Sequence, residues 1–399
     1  MDLTMAARPS KASPAAPTPP PSKAIARSTS WSDLPSELAG LVLRRFPSLA
    51  DRVRFGSVCR QWRHAAGQQA PVLPPVLPWT ITTYTGTFRT IPDGEQHVHR
   101  LCSSELAFCT CTSENLLLVA GRTSPDERES RSFLENPLSG ATLPLPGRDK
   151  LLHLGEALFH VTKFIVCPDN LFVATVKSAI LPNDPLIACC RLGATSWSTS
   201  TQSADGHLSC YEDIAFHDHK IYAITKRGSL FTHEVSEDHG YEKPTVLSST
   251  KLVINGSDTW CLGQGVSRFL VVSHGDRLLM VQWNHGRGHN YYDDVSAFEV
   301  FEADLQMSRW SRLPGIDDQV LFVSPRCSKA VDVSPNHGDY LCGNRIYFMD
   351  NGGYAPQKCH FGTSSCGMYD LRDNTFHPIM SDRLRANGIP PSAWFFPQK

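Results

Sequence analysis

Several short clusters in this 399-residue chain carry side chains able to do chemistry. His97 and His99, Cys109 and Cys111, and His217 and His219 each stand two apart, so each pair would share one face of a strand, as two ligands of a metal ion must. None is joined by a second pair at zinc-finger spacing, and the next set, Cys359, His360 and Cys366, lacks a fourth nearby ligand. Buried thiols and turn histidines account for them, and neither metal nor cofactor is expected. The GTSSCG at 362–367 does not give the G-x-S-x-G turn that presents a nucleophilic serine, and no phosphate-binding G-x-x-x-x-G-K-[ST] occurs. Asp293-Asp294 and Asp317-Asp318 could serve a glycosidase as paired acids, but adjacent carboxylates in polar loops are ordinarily solvated. The NHGRGHNYY at 284–292 has the tyrosines and arginine of a recognition surface, or the make-up of an insertion without fixed structure. No catalytic set converges, so the chain is expected not to be an enzyme.

The stretch that organises the chain is instead helical, running from Trp31 to about residue 70. Pro35 suits a first helical position, and Glu37 falls in the first turn, where the helix dipole favours a carboxylate. Leu34, Leu38, Leu41, Val42 and Phe46 then recur at steps of three and four, which predicts one apolar stripe on one helix. Pro47 interrupts it, Ser48 can cap a second helix, and Leu49, Val53, Phe55, Val58, Cys59 and Trp62 supply a second apolar set. Arg44, Arg45, Asp51, Arg52, Arg60 and Arg63 fill the other faces. A segment of roughly 40 residues cannot bury enough surface to stand alone, so these helices need a partner, in the same chain or outside it.

The ordered set Leu34-Pro35-x-Glu37-Leu38, Asp51-Arg52-x-Arg54-Phe55 and Val58-Cys59-Arg60-x-Trp62-Arg63 resembles the F-box, the helical motif that docks a Skp-type adaptor of cullin-RING ubiquitin ligases. The resemblance implies an adaptor contact through Leu34, Pro35, Leu38, Leu41, Val42, Val58, Cys59 and Trp62, some of which must also hold the motif's own helices together.

Composition bounds the rest. Lys+Arg number 38 against 39 Asp+Glu, so no strong field draws the chain to nucleic acid or an anionic membrane. Hydrophobic content of 41% supports a substantial core, and no apolar run approaches the ~18 residues of a membrane span. The thirteen cysteines include Cys167, Cys189, Cys190 and Cys261 inside apolar runs, where a thiol acts as a small hydrophobe. With no secretory segment at the start, a reducing compartment, cytoplasm or nucleus, is expected. Residues 1–30 are rich in Pro, Ala, Ser and Thr, a composition shared by flexible tails and transit peptides, of which a tail is the simpler account. PVLPPVLP at 71–78 reads as a stiff extended connector, and a domain boundary belongs there.

From Trp79 the period becomes that of strands, with candidate runs at 116–119, 164–166, 171–176, 221–224, 269–272, 278–283 and 346–349. They group into imperfect units of roughly 40 to 50 residues, the length of propeller blades, and residues 79–399 would make about six. The apolar PWTITT after the connector and the terminal AWFFP are expected to pair and close the ring. LENPLSGATLPLP, FHDHKIYAI, FEVFEADLQMSRW, CGNRIYFMD, MYDLRDNTFHPI and WFFP are similar to a plant family in which an F-box precedes a KIB-type propeller, also called the domain of unknown function 295. HDHK at 217–220, where that family leads one to expect a glycine-bearing turn, and the insert at 284–296 depart from it. The resemblance implies the substrate receptor of an SCF-type ubiquitin ligase, with the propeller holding an unidentified target protein. A binding scaffold whose F-box no longer docks is the alternative, and a propeller enzyme a weaker one.

Overall fold

A computed structural model describes residues 31, 34–82, 87–91, 96–98, 108–121, 131–146, 159–178, 186–199, 211–235, 250–256, 266–284, 297–333, 341–349, 366–379 and 393–397. Three helices come first: α1 (Ser36–Leu43), α2 (Leu49–Ser57) and α3 (Arg60–Gln69). Ser48 caps α2, its hydroxyl accepting from Ala50 N at 3.2 Å. The second helical run divides at Val58 and Cys59, because the Cys59 backbone is extended and its Sγ accepts from Trp62 N at 3.4 Å, starting a new helix there.

The strands follow in six sheets. The first contains β1 (Trp79–Thr82), β2 (Thr87–Arg89) and β3 (Gln96–Val98). The second holds β4 (Phe108–Ser113), β5 (Leu116–Gly121), β6 (Arg131–Glu135) and β7 (Thr142–Leu145), and the third β8 (Phe159–Cys167), β9 (Leu171–Ser178), β10 (Leu186–Arg191) and β11 (Ser198–Thr199). The fourth is β12 (Tyr211–His217), β13 (Lys220–Thr225), β14 (Leu230–His233) and β15 (Thr250–Ile254), and the fifth β16 (Val266–Val272), β17 (Leu278–Asn284), β18 (Ala297–Asp304) and β19 (Arg309–Leu313). The sixth takes β20 (Gln319–Val323), β21 (Lys329–Asp332), β22 (Arg345–Met349), β23 (Cys366–Asp370) and β24 (Thr375–Pro378). Last in the chain, β25 (Ala393–Phe395) returns to the first sheet and pairs antiparallel with β1, Trp79 opposite Phe395 and Ile81 opposite Ala393. The two chain segments read from sequence as the closing pair do meet, and the ring is a six-bladed propeller.

Period-two burial on both faces holds it together. Val173 and Ile187 pack toward the fourth blade while Phe172 and Ala174 pack toward the second; Leu279 and Val281 face the sixth while Leu278 and Met280 face the fourth. Each of the six blade junctions has its own apolar cluster, which is why these strands read as continuous apolar runs rather than alternating ones. Cys167 and Cys189 sit in one such cluster, their thiols pushed up to about 12 by burial, inert as nucleophiles.

The sixth blade departs from the simple repeat. Its order is β21-β20-β22-β23-β24, with β20 running parallel to β22. Its edge strand β21 reaches beyond the neighbouring blade: Lys329 Nζ lies 3.2 Å from Glu114 of the second blade and over the Phe396 ring, while Asp332 meets His274 of the fifth at 2.8 Å.

Candidate adaptor-docking site

The helical motif has one small core: Ala39, Leu43, Phe55 and Ala65, with Leu34, Phe46, Trp62, Ala66 and Leu73 packed against it. Phe55 stacks on Trp62 at 4.4 Å between ring centres and meets Phe46 edge-on at 6.1 Å. Gly40 lets α3 approach, since a Cβ there would strike the Gln69 side-chain amide. The inward side of α1 is therefore Ala39, Gly40 and Leu43, not the stripe that spacing picks out. Of that stripe only Leu34 and Phe46 pack on the core; its middle faces solvent, Leu38 being 47% exposed, Leu41 58% and Val42 40%. The helix is apolar on two sides and covered on one. Pro35 is not the first helical residue but the cap before it, its carbonyl accepting from Ala39 N at 3.0 Å while the ring stands exposed.

The structure divides the eight residues assigned to the adaptor. Pro35 before the first helix, Leu38, Leu41 and Val42 within it, and Val58, 63% exposed at the α2–α3 break, are open to a partner. Leu34 and Trp62 pack into the motif's core, and Trp62 Nε1 donates to Trp31 O at 2.8 Å. Cys59 works as the cap of α3. Val53, a member of the second apolar set, is 51% exposed and shares the outer side of α2 with Ser57, four residues on. Exposed Arg45, Arg60 and Arg63 add positive charge to the motif, while Arg54 is paired with Asp51 at 3.0 Å.

Among the described residues, those considered for chemistry do not assemble. Among the described residues no group of three or more His, Cys, Asp or Glu could hold a metal. Cys109 and Cys111 flank a register irregularity in β4, which breaks the two-residue alternation their pairing assumed. His217 is buried at the end of β12, with Nδ1 3.1 Å from Asp276, whereas His219 is exposed in the following turn. That turn needs no glycine, because Asp218 and His219 take φ of 45° and 57°, the positive values of a two-residue hairpin, which Asp and His tolerate. Asp317 and Asp318 are exposed turn residues, Cys366 is buried in β23, and His99, Cys359, His360, Asp293, Asp294 and most of 284–296 lie outside the described residues.

What the inner strands do carry is a buried line of charge. Lys163 of β8 contacts Asp213 of β12 at 2.5 Å, and Asp213 also accepts from Leu270 N of β16 at 2.8 Å, so one carboxylate ties three successive blades. Beside it Glu212 lies 3.8 Å from Arg268, whose guanidinium donates to Lys226 O. Burial pushes Glu212 up to about 7 although Arg268 and Lys226 pull the other way. Lys163 and Asp213 are satisfied within this tie, the arrangement of a structural network rather than of a reacting pair, whereas buried Glu212 Oε2 has no hydrogen-bond partner among the described residues.

Residues 88–370 match the KIB1-4 beta-propeller family model, and residues 31–69 match the F-box-like model. The chain belongs to the KIB1-4 β-propeller family. Its propeller is preceded by an F-box-like motif, and the curated relatives carry the F-box in their names. F-box protein At2g26160 of Arabidopsis thaliana is 25% identical over 355 residues, covering 80% of this chain and 96% of that one. F-box protein SKIP23 of the same plant is 22% identical over 402 residues, covering 91% and 95%. Among the described residues the F-box-like part and the propeller are both well packed, and only the former leaves a concentrated apolar face open.

Proposed function

We propose that the chain is the substrate receptor of an SCF-type ubiquitin ligase: the F-box-like helices dock a Skp-type adaptor, and through it a cullin-RING assembly, while the propeller presents a target protein. The observation that carries this reading is the two-sided first helix. Its inner side is filled by the chain itself, and Pro35, Leu38, Leu41 and Val42, with Val58 close in sequence to the core contact Phe55, remain for another protein. Burying a fully exposed Leu or Val gains about 1.5–3 kcal/mol, so four half-exposed ones can supply a large part of a stable interface. The chain would make or break no covalent bond; it would raise the concentration of a target lysine near the transfer centre, in cytoplasm or nucleus.

The test is co-purification of the full chain with a Skp-type adaptor, beside the double variant Leu38→Ser, Leu41→Ser. Binding is expected to fall by about 2–4 kcal/mol, the range of central anchors, with the melting temperature unchanged because neither side chain serves the motif's core. Equal capture of both forms would sink the assignment, and the propeller would then be the whole of the function.

A further inference from the structure

The connector between the two parts is not a free spacer. Leu73 packs on the core of the helical motif, and Leu77, 5% exposed, belongs to the cluster that joins the sixth blade to the first, with Ile91, Trp394 and Phe396. Between these two anchors one side chain bridges the joint. Arg52 of α2 donates from Nε to Phe46 O, at the α1–α2 turn, at 3.0 Å, and from Nη1 to Pro74 O, in the connector, at 2.7 Å. A further bond from Leu77 N to Pro47 O, 2.9 Å, closes the joint on the same turn. The proline run suits this. Its fixed φ stiffens the backbone, and a connector with few N–H groups and no strand partner leaves carbonyls free for a guanidinium.

We propose that Arg52 is a positioning residue that fixes the orientation of the propeller relative to the docked adaptor. Only the planar fork of an arginine reaches two carbonyls from separate segments; a lysine ammonium is a single point. An untethered connector would let the propeller swing and dilute the target lysine at the transfer centre, whereas a gripped one holds it within a narrow cone. The inference rests on the receptor reading for its purpose, but the joint itself is a property of this chain alone.

The test measures the distance distribution between two labels in the full chain, placed through azide-bearing residues at the exposed positions 61 in α3 and 373 in the sixth blade. It compares wild type, Arg52→Ala and Arg52→Lys, free and with adaptor. The wild type is expected to give one narrow distribution, and both variants one at least about twofold broader, with adaptor affinity held within about twofold and helix content unchanged. If Arg52→Ala loses the helical motif, Arg52→Lys and a two-glycine insertion after Pro74, which leaves the motif intact, carry the same expectation. Variants as narrow as the wild type, or a wild type already broad, would overturn the proposal. Failure of the wild type to bind adaptor breaks the receptor reading instead, and the widths still decide whether Arg52 sets the joint.

Discussion

The two parts of this chain solve the burial problem in opposite ways. Of the eleven large apolar side chains most exposed among the described residues, seven lie between Trp31 and Val72, and the other four, Leu138, Leu143, Leu252 and Met307, are scattered over the much longer propeller. Conversely, the propeller buries Lys163, Asp213 and Arg268, while the helical motif buries no charged residue among those described. A closed ring has every blade face covered by a neighbour, so it can afford polar ties at its centre. A three-helix motif has only one inner side, which leaves surplus apolar surface of the kind that association covers. The difference separates a part that leaves apolar surface open from a part that is finished within the chain.

The largest effect should come from the propeller's central tie. Asp213→Ala strands the Lys163 ammonium, 5% exposed, and the Leu270 N–H without their acceptor. Removing one member of a buried pair costs about 3–5 kcal/mol, which a urea melt of the full chain would register, whereas Lys163→Met with Asp213→Leu should recover most of it. Adaptor binding should not move in either form. A fall in adaptor affinity that tracks the propeller's stability would erase the contrast between the two regions.

A smaller effect lies in how the fourth blade responds to pH. Burial raises Glu212 from 4.5 to about 7 and lowers His233 from 6.5 to about 4. Between those limits the folded chain keeps a proton on Glu212 that the unfolded chain has released, so this group loses stability as pH rises. His233 does the reverse, since the unfolded chain binds a proton that the folded one excludes, and stability grows as pH rises. The two slopes oppose each other across the overlap and largely cancel. Glu212→Gln, a neutral stand-in for the protonated acid, leaves the His233 slope exposed: relative to wild type, the variant should gain about 2 kcal/mol as pH goes from about 5 to 6.5. Urea midpoints at the two pH values read this directly, and parallel profiles for variant and wild type would refute it.

Much of this organisation was legible in the chain. Ring closure could be read from PWTITT and AWFFP because each end supplies apolar residues that one blade lacks, and Ile81 and Ala393 now face each other in one register. The apolar runs at 171–176, 221–224 and 278–283 all fall inside strands, since burial on both faces leaves a signal that needs no knowledge of neighbours. The orientation of α1 was not legible, because Leu38 and Leu41 are as apolar as Leu43 and only the position of α3 decides which side is inside. Nor was the insertion of β20, since a parallel neighbour such as β22 comes from the path of the chain and not from any local pattern. The connector was read as a spacer for a similar reason: the bond that grips Pro74 starts 22 residues away, on Arg52.

Cys59 offers the smallest and sharpest test of the division within the helical motif. Its Sγ accepts from Trp62 N at 3.4 Å, a weak acceptor in a position where a hydroxyl does better. If its task is to cap α3, Cys59→Ser should raise the stability of the motif by about 0.5 kcal/mol and leave adaptor binding unchanged, because the side chain's work is done within the chain. If it instead lies in the adaptor contact with Val58, the polar hydroxyl should weaken binding while the cap improves. Measuring the melting temperature and adaptor affinity on one variant therefore separates the two roles. A gain in stability coupled to a loss in affinity would move Cys59 from the inner set, with Leu34 and Trp62, to the outer one with Leu38, Leu41 and Val42.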